Sequence, residues 1–168
     1  NMKYKLIESF AIKNDVVELL TTQTEFRDFS LKYASKNNSI DCFKYLFETN
    51  QFEFTKSIFE NIVRNPNKEF SNYIKDKIDI NNFLTYSLIH HIIITDNFYL
   101  FPKLNNLTLD DISYLILFDS HNCFEHLLLN NHSYETNDYD LFCCHYGAYK
   151  CLQKMHIHNK FNVNKSIN

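Results

Sequence analysis

A pattern of two short helices separated by a polar turn constrains the fold of this chain more than any other feature of its sequence. The pattern is clearest in residues 30–54, SLKYASKNNSIDCFKYLFETNQFEF, where apolar residues recur at three- and four-residue steps on both sides of the turn. Asn38 suits the left-handed position after a helix, and Ser39 suits the N-cap of the next helix. Because the turn is short, the sequence predicts two antiparallel helices here.

The same pattern returns at a nearly constant step. The bulky residues early in each predicted second helix follow one another at intervals of 27, 28, 26 and 28 residues: Phe43, Phe70, Phe98, Phe124 and Leu152. Such a step is typical of helical repeats, in which neighbouring units bury each other's apolar faces. We therefore predict one all-α domain over residues 1–168, a solenoid of antiparallel helix pairs with approximate units 2–27, 28–54, 55–81, 82–108, 109–135 and 136–163.

The two prolines have different consequences for the pattern. Asn65 and Pro66 have the residue types of an N-cap and of the first position of a second helix. Pro102 falls inside the helix expected over residues 98–104 and is expected to shorten or kink it. In the other units the polar residues at 13–15, 95–97, 119–120 and 146–148 predict turns.

Composition and charge narrow the classes of function. One Gly and two Pro in 168 residues leave little material for tight hairpins or glycine-rich phosphate loops, and the bias towards Asn, Lys, Ile and Phe is typical of an AT-rich genome. With a net charge of -3 and no basic block, nucleic acid is not an expected partner except within a ribonucleoprotein assembly. The longest apolar run, residues 83–94, contains His90 and His91 and is too short to span a bilayer, so we expect no membrane partner.

The five cysteines predict the compartment. They are odd in number and lie within helical patterns, which argues against a disulfide framework. We therefore expect an intracellular, reducing compartment, most simply the cytoplasm.

Two of the units resemble the ankyrin repeat family, whose repeat reads roughly T-P-L-H-x-A-A-x-x-G-H-x-E-x-V-x-x-L-L-x-x-G-A. Residues 31–47, LKYASKNNSIDCFKYLF, follow it without a gap, with Asn38 in the glycine place. Residues 142–152, FCCHYGAYKCL, put the chain's single glycine, Gly147, at the family's glycine position, and residues 110–131 match in part. The Thr-Pro-Leu-His motif is absent and the step is shorter than the family's usual length of about 33 residues. The chain is in this respect similar to the divergent, short ankyrin-like repeats of AT-rich protists and large DNA viruses.

The resemblance implies a helical stack whose β-hairpin fingers are trimmed or absent, with a partner-binding surface on the first helices and the loops between units. In the family, the two residues before the glycine position vary to fit partners. Carried over to this chain, the implied partner-binding residues are Lys36, Asn37, Leu117, Phe118, His145 and Tyr146.

A cluster of reactive side chains near the C-terminal end offers a different interpretation: Cys143, Cys144, His145, Cys151, His156 and His158. A structural zinc site usually has paired ligands two to four residues apart. These cysteines instead coincide with the small buried positions of the repeat, where Cys acts as a small hydrophobic residue. A Cys-His nucleophile would also need an orienting acid and an oxyanion loop, and the sequence indicates neither. We expect no metal, no cofactor and no catalysis.

The sequence thus predicts a non-catalytic scaffold for protein-protein interaction or assembly. Its expected partner is another protein or a large macromolecular assembly, not a small-molecule substrate. Two alternatives remain open. The chain could be a subunit or accessory factor embedded in a large cytoskeletal or ribosomal assembly, or a small metal-binding or thiol-dependent protein centred on the C-terminal Cys and His residues.

Overall fold

The computed structural model describes residues 2–49, 52–104, 107–130, 139–158 and 160, and this part of the chain is all-helical, without a β-strand. The prediction of an all-α protein is therefore confirmed. The α-helices are α1 (Met2–Asn14), α2 (Val17–Thr21), α3 (Ser30–Lys36), α4 (Ile40–Thr49), α5 (Lys56–Arg64), α6 (Glu69–Ile74), α7 (Tyr86–Ile94), α8 (Leu109–Leu117), α9 (His121–Leu129), α10 (Tyr139–Tyr146) and α11 (Tyr149–Ile157). Short 3-10 helices span Ile80–Asn82 and Phe101–Lys103. None of the described helices is long and apolar enough to cross a membrane.

The helices form two compact units, an N-terminal unit of Asn1–Phe83 and a C-terminal unit of Leu84–Asn168. In the N-terminal unit, α3 packs against α1, α4 and α5, and α2 packs against α4. In the C-terminal unit, α8 packs against α7, α9 and α10, and α11 packs against α9 and α10. Within each unit, the first helices of successive pairs are therefore neighbours. The prediction of one domain over the whole chain stays a prediction.

Aromatic rings fill the core of the N-terminal unit. Phe43 on α4 is fully buried, and its ring centroid lies 5.3 Å from that of the buried Phe70 on α6. Phe59 on α5 is also fully buried, 5.9 Å from the ring of Phe83. The buried positions of Phe43 and Phe70 agree with the predicted step of 27 residues.

The C-terminal unit follows the predicted register only in part. Phe124 on α9 is fully buried, as expected, but Phe98 is 43% exposed and Leu152 is half-buried. The prediction for Phe98 is wrong because Pro102 prevents a regular helix there. The chain forms only the 3-10 helix Phe101–Lys103, and Phe101 is the side chain that it buries.

Left-handed residues make the turns within the helix pairs. Positive φ angles of 49° to 69° occur at the turns expected from the sequence: Asp15, Asn38, Asp96, Asp119 and Gly147. Asn, Asp and Gly tolerate this conformation better than other residues, which explains how a chain with one glycine reverses direction so often.

The third pair reverses direction differently. Asn65 is extended, with φ -71° and ψ 130°, and α6 begins only at Glu69. The prediction of Asn65 and Pro66 as the start of the second helix is wrong. Asn67 is the residue whose side-chain oxygen accepts a hydrogen bond from the Glu69 amide, at 3.0 Å. Pro66 directly precedes Asn67 and lies outside α6.

Three of the turn aspartates cap a helix of the next pair. Each carboxylate accepts hydrogen bonds from two successive backbone amides: Asp15 from Asp41 and Cys42, Asp96 from Asn122 and Cys123, and Asp119 from Lys150 and Cys151. The bonds to the three cysteine amides are 2.8 to 2.9 Å long. Because a helix N-terminus leaves amides unpaired and carries partial positive charge, a carboxylate there is favourable. We call these contacts the aspartate caps.

In two places, the serine before the capped helix makes a second hydrogen bond to the previous pair. The Ser120 hydroxyl donates to the Ile93 carbonyl at 2.5 Å, and the Ser39 hydroxyl donates to the Ile12 carbonyl. Ser39 thus precedes α4, as expected for an N-cap residue, but its side chain bonds to the previous pair. The amides near the start of α4 are capped by Asp15. The pairs linked by these residues within each unit are therefore joined by polar contacts as well as by packing.

We expect the aspartate caps to contribute measurably to stability. Replacing Asp96 with Gly keeps the positive φ accessible but removes hydrogen bonds to a charged acceptor, each worth about 1.5 to 3 kcal/mol. Asp96→Gly is therefore expected to lower the free energy of unfolding by about 2 to 3 kcal/mol, and Asp96→Ala by about 1 kcal/mol more because of its left-handed backbone. Urea unfolding followed by circular dichroism measures both values.

Asn38 provides the matched control, because it has a φ of 60° and is exposed. Asn38→Gly is expected to change the stability by less than about 0.5 kcal/mol. Equal costs at the two turns would mean that the Asp96 carboxylate adds nothing beyond its backbone conformation.

Candidate protein-binding surface

In the described residues, five of the six first helices bury two successive residues near their C-terminal ends and expose the next one. The buried pairs of the first five are Ala11 and Ile12, Ala34 and Ser35, Ile62 and Val63, Ile92 and Ile93, and Leu115 and Ile116. In α10 only the first residue of the pair, Cys143, is buried. The exposed residues that follow form what we call the turn row: Lys13, Lys36, Arg64, Ile94, Leu117 and His145.

The turn row of the N-terminal unit consists of three cations. The C-terminal ends of their helices lie side by side, because Ser39 bonds to the Ile12 carbonyl and Asn61 donates to the Ser35 hydroxyl at 3.1 Å. Lys13, Lys36 and Arg64, each in the last turn of its helix, therefore lie along one edge of this unit.

The turn row of the C-terminal unit belongs to an exposed apolar surface. The five residues that we call the apolar patch are each 43% to 48% exposed: Ile94, Leu117, Phe118, Phe142 and Tyr146. Their helices are neighbours, since α8 packs against both α7 and α10. The Phe118 ring is supported by stacking on Tyr114, with centroids 6.1 Å apart and an interplanar angle of 18°.

The structure exposes most of the predicted partner-binding residues. Lys36, Leu117, Phe118, His145 and Tyr146 are exposed. Asn37 is half-buried, and its side-chain amide donates to the Tyr33 carbonyl at 2.8 Å. Their role in binding stays a prediction.

Four further members of this surface were not predicted: Lys13, Arg64, Ile94 and Phe142. A usable signal exists in the sequence, because each of the first three directly follows two small or aliphatic residues. Phe142 lies four residues before Tyr146 and so shares its helix face.

The cysteine and histidine cluster divides between buried and exposed positions. Cys143 and Cys151 are buried, and burial raises the pKa of Cys143 to about 12 and raises that of Cys151 further above its usual range. A thiol with a raised pKa is a poor nucleophile and a poor metal ligand at neutral pH, because both roles need the thiolate. Cys144 is exposed, so the expectation that it occupies a buried position is wrong.

One histidine of this cluster, His158, pairs with a carboxylate of α9. His158 contacts Glu125 through Nε2 and Oε1 at 2.7 Å, and Lys154 contacts the other oxygen at 2.5 Å. These two hydrogen bonds lower the pKa of Glu125. Across the part of the chain that the structure describes, no three His, Cys, Asp or Glu side chains are placed to hold a metal ion.

His90 occupies a separate aromatic site in the C-terminal unit. Its ring lies between Tyr86 and Tyr114, with centroid distances of 4.0 and 4.3 Å. Its Nε2 lies 3.6 Å from an Asp111 oxygen, which is too long for a hydrogen bond. The other Asp111 oxygen accepts from the Thr108 amide at 2.8 Å and belongs to a capping box at the start of α8. The Asp111 carboxylate therefore caps the N-terminus of α8.

A groove of about 480 Å³ runs along the outer face of α11. Its lining includes the half-buried Leu152 and the exposed Tyr149 and Ile157. The equivalent face of α9 contains the fully buried Phe124 and packs against α11. Within the described residues, this groove is lined by α11 alone.

Comparison with protein family models, curated proteins and solved structures gave no match to this chain. The class of protein that the structure defines is an all-helical protein of packed helix pairs, in which the turn row is basic in the N-terminal unit and largely apolar in the C-terminal unit.

Proposed function

We propose that this protein is a non-catalytic, ankyrin-like repeat protein that binds another protein through the apolar patch of its C-terminal unit. The repeat character is supported by features that recur from pair to pair. These are the left-handed turn residues, the aspartate caps and the buried pairs before the turn row. Within each unit, we propose that the helix pairs form a short stack of the solenoid type.

The observation that carries the proposal is a contrast between equivalent positions. At the turn row, the N-terminal unit has Lys13, Lys36 and Arg64, which shows that this position does not need an apolar side chain for folding. The C-terminal unit nevertheless exposes Ile94 and Leu117 there. Contiguous exposed apolar surface on a soluble protein is typical of an interaction site.

The aromatic members of the apolar patch fit the role of anchors. Phe118 is held by stacking on Tyr114, and Tyr146 packs edge-on against His145 with ring centroids 4.9 Å apart. Supported rings lose little side-chain freedom on binding, and aromatic side chains contribute much of the binding energy in protein interfaces.

The test uses the full chain and two matched double variants. Leu117→Lys with Phe118→Asn introduces the residue types of positions 36 and 37 into the apolar patch. Leu129→Lys with Ile157→Asn changes exposed apolar residues on α9 and α11. We expect both variants to keep their circular dichroism and unfolding midpoints.

Each immobilised protein is then used for affinity capture from the cells that express it, with quantitative mass spectrometry. We expect the proteins that bind the wild type to be lost with the first variant and kept with the second. Equal capture by all three chains would show that the apolar patch is not the binding site.

A second candidate is a subunit embedded in a large assembly, and the groove on α11 favours it. The groove and the apolar patch are lined by different residues of the C-terminal unit. Light scattering of the purified chain tests this candidate: self-association that is relieved by Ile157→Asn supports it, whereas a monodisperse monomer at high concentration argues against it.

A further inference from the structure

We infer that the N-terminal unit binds an acidic polypeptide segment along a basic face on its first helices. The basic face consists of six exposed cations: Lys5, Lys13, Lys32, Lys36, Lys56 and Arg64. On each helix the two cations are four or eight residues apart, so both lie on the same side. The three helices are neighbours, which joins their cations into one surface.

The six cations are not used by the fold. None of their side chains makes an ion pair or a hydrogen bond within the described residues, and all six are exposed. Cations near the second helices of the same unit behave differently. Lys44 pairs with Glu69 at 2.8 Å and Lys77 with Glu48 at 3.3 Å. The charges left available for a partner are therefore those on the first helices.

Most acidic residues of this unit lie outside the first helices. Residues 1–83 contain twelve Lys and Arg and twelve Asp and Glu, so the unit as a whole is neutral. The second helices carry Glu18, Asp41, Glu48 and Glu69. The first helices carry Glu8, which is buried and paired with Arg27, and Glu60. Glu60 lies four residues from both Lys56 and Arg64, so it shares their side of α5 as one anion among the six cations. The placement of charge, not its total, makes this face positive.

The helix dipole explains the positions of only three of the six cations. Lys13, Lys36 and Arg64 lie in the last turns of their helices, where a cation complements the carbonyl end of the dipole. Lys5, Lys32 and Lys56 lie at least one turn earlier. Because the dipole effect is confined to the last turn, it gives no reason for cations at these positions.

The dimensions and the neighbouring side chains favour a polypeptide over nucleic acid. Packed helices lie about 8 to 10 Å apart, so three first helices form a face about 20 Å wide. An extended chain rises about 3.3 Å per residue and crosses this width with about six residues. Sites for single-stranded nucleic acid stack successive bases on several aromatic rings. Among the described residues of the three first helices, one ring is exposed, Phe10 on α1, and Tyr33 is half-buried. The chain also has a net charge of -3.

The experiment titrates the full chain against fluorescent peptides of twelve residues, one with Glu and one with Gln at every second position. The test variant is Lys13→Gln/Lys36→Gln/Arg64→Gln. The control variant, Lys103→Gln/Lys150→Gln/Lys160→Gln, makes the same change in net charge at exposed positions of the C-terminal unit. Circular dichroism checks that both variants fold.

We expect the Glu peptide to bind the wild type more weakly as salt rises, and the Gln peptide not to bind. The test variant is expected to weaken binding about 10-fold and the control variant less than about 2-fold, since an exposed ion pair changes affinity by a factor of about 1.5 to 5. Absent binding of the Glu peptide, or equal weakening by the two variants, would overturn the inference.

A single-stranded oligonucleotide of twelve nucleotides is the second probe. Tighter binding of the oligonucleotide than of the Glu peptide, with the same dependence on Lys13, Lys36 and Arg64, would replace the acidic polypeptide with nucleic acid and overturn the inference. The variant Leu117→Lys/Phe118→Asn is expected to bind the Glu peptide as the wild type does. The outcome for the basic face is therefore independent of the outcome for the apolar patch.

Discussion

Phe43→Ala is expected to lower the free energy of unfolding by about 3 to 5 kcal/mol, because it removes a large side chain from a closed site. The ring is fully buried, and its centroid lies 5.3 Å from that of Phe70, 6.0 Å from that of Phe47 and 6.2 Å from that of Tyr73. These neighbours are themselves packed, so they cannot close the cavity. Urea unfolding followed by circular dichroism gives the change in free energy.

Phe98→Ala is the matched control for this prediction. The repeat step assigns Phe98 to the same position as Phe43, but its side chain is 43% exposed. We expect it to cost less than about 1 kcal/mol. A cost equal to that of Phe43→Ala would contradict the register that the structure gives to this pair.

The contrast between these two residues shows what the sequence could predict. Helical spacing and short polar turns depend on local preferences, so the helix pairs and the turns at Asp15, Asn38 and Gly147 were predictable. Phe98 was not, because a proline four residues later changes which side chains the segment buries. The spacing of bulky apolar residues alone does not show which of them is buried after such a change.

The aspartate caps were beyond prediction for a different reason. A turn aspartate such as Asp119 has a local explanation, its tolerance of a positive φ. Its hydrogen bonds to the amides of Lys150 and Cys151, more than 30 residues further on, depend on how two pairs pack. A local pattern cannot show which distant helix start lies within reach of the carboxylate.

The sequence predicted the positions of the candidate binding residues but not how charged and apolar residues are distributed among them. The positions followed from the resemblance and are exposed, with Asn37 half-buried. That the turn row is basic in the N-terminal unit and largely apolar in the C-terminal unit becomes visible only when the buried pairs of α1, α5 and α7 identify the exposed residue that follows them. Lys13, Arg64 and Ile94 can then be assigned to the turn row. Equivalent positions of the helix pairs thus carry cations in the N-terminal unit and mainly apolar residues in the C-terminal unit.

The second large effect is expected at the buried ion pair of Glu8 and Arg27. Glu8 is 2% exposed, and its carboxylate accepts from Arg27 Nε at 2.6 Å, from the Arg27 amide at 3.2 Å and from the Ser30 hydroxyl. The same guanidinium donates to Ser9 at 2.7 Å. The pair thus fixes the segment before α3 against α1.

Arg27→Met is expected to cost about 3 kcal/mol, towards the lower end of the range for a broken buried ion pair. The variant leaves the Glu8 carboxylate buried with two of its three hydrogen bonds, which is why the cost stays at that end. Glu8→Met is expected to cost less, because the Arg27 side chain is 23% exposed and can reach water.

The double variant Glu8→Met/Arg27→Met separates charge from packing. Removing both partners leaves no uncompensated buried charge, so we expect it to cost less than Arg27→Met alone. If Arg27 acted only through the packing of its stem, for example against the Phe29 ring 4.5 Å below its guanidinium, the two single costs would simply add. Additive costs in urea unfolding would therefore reject the ion pair as the source of the effect.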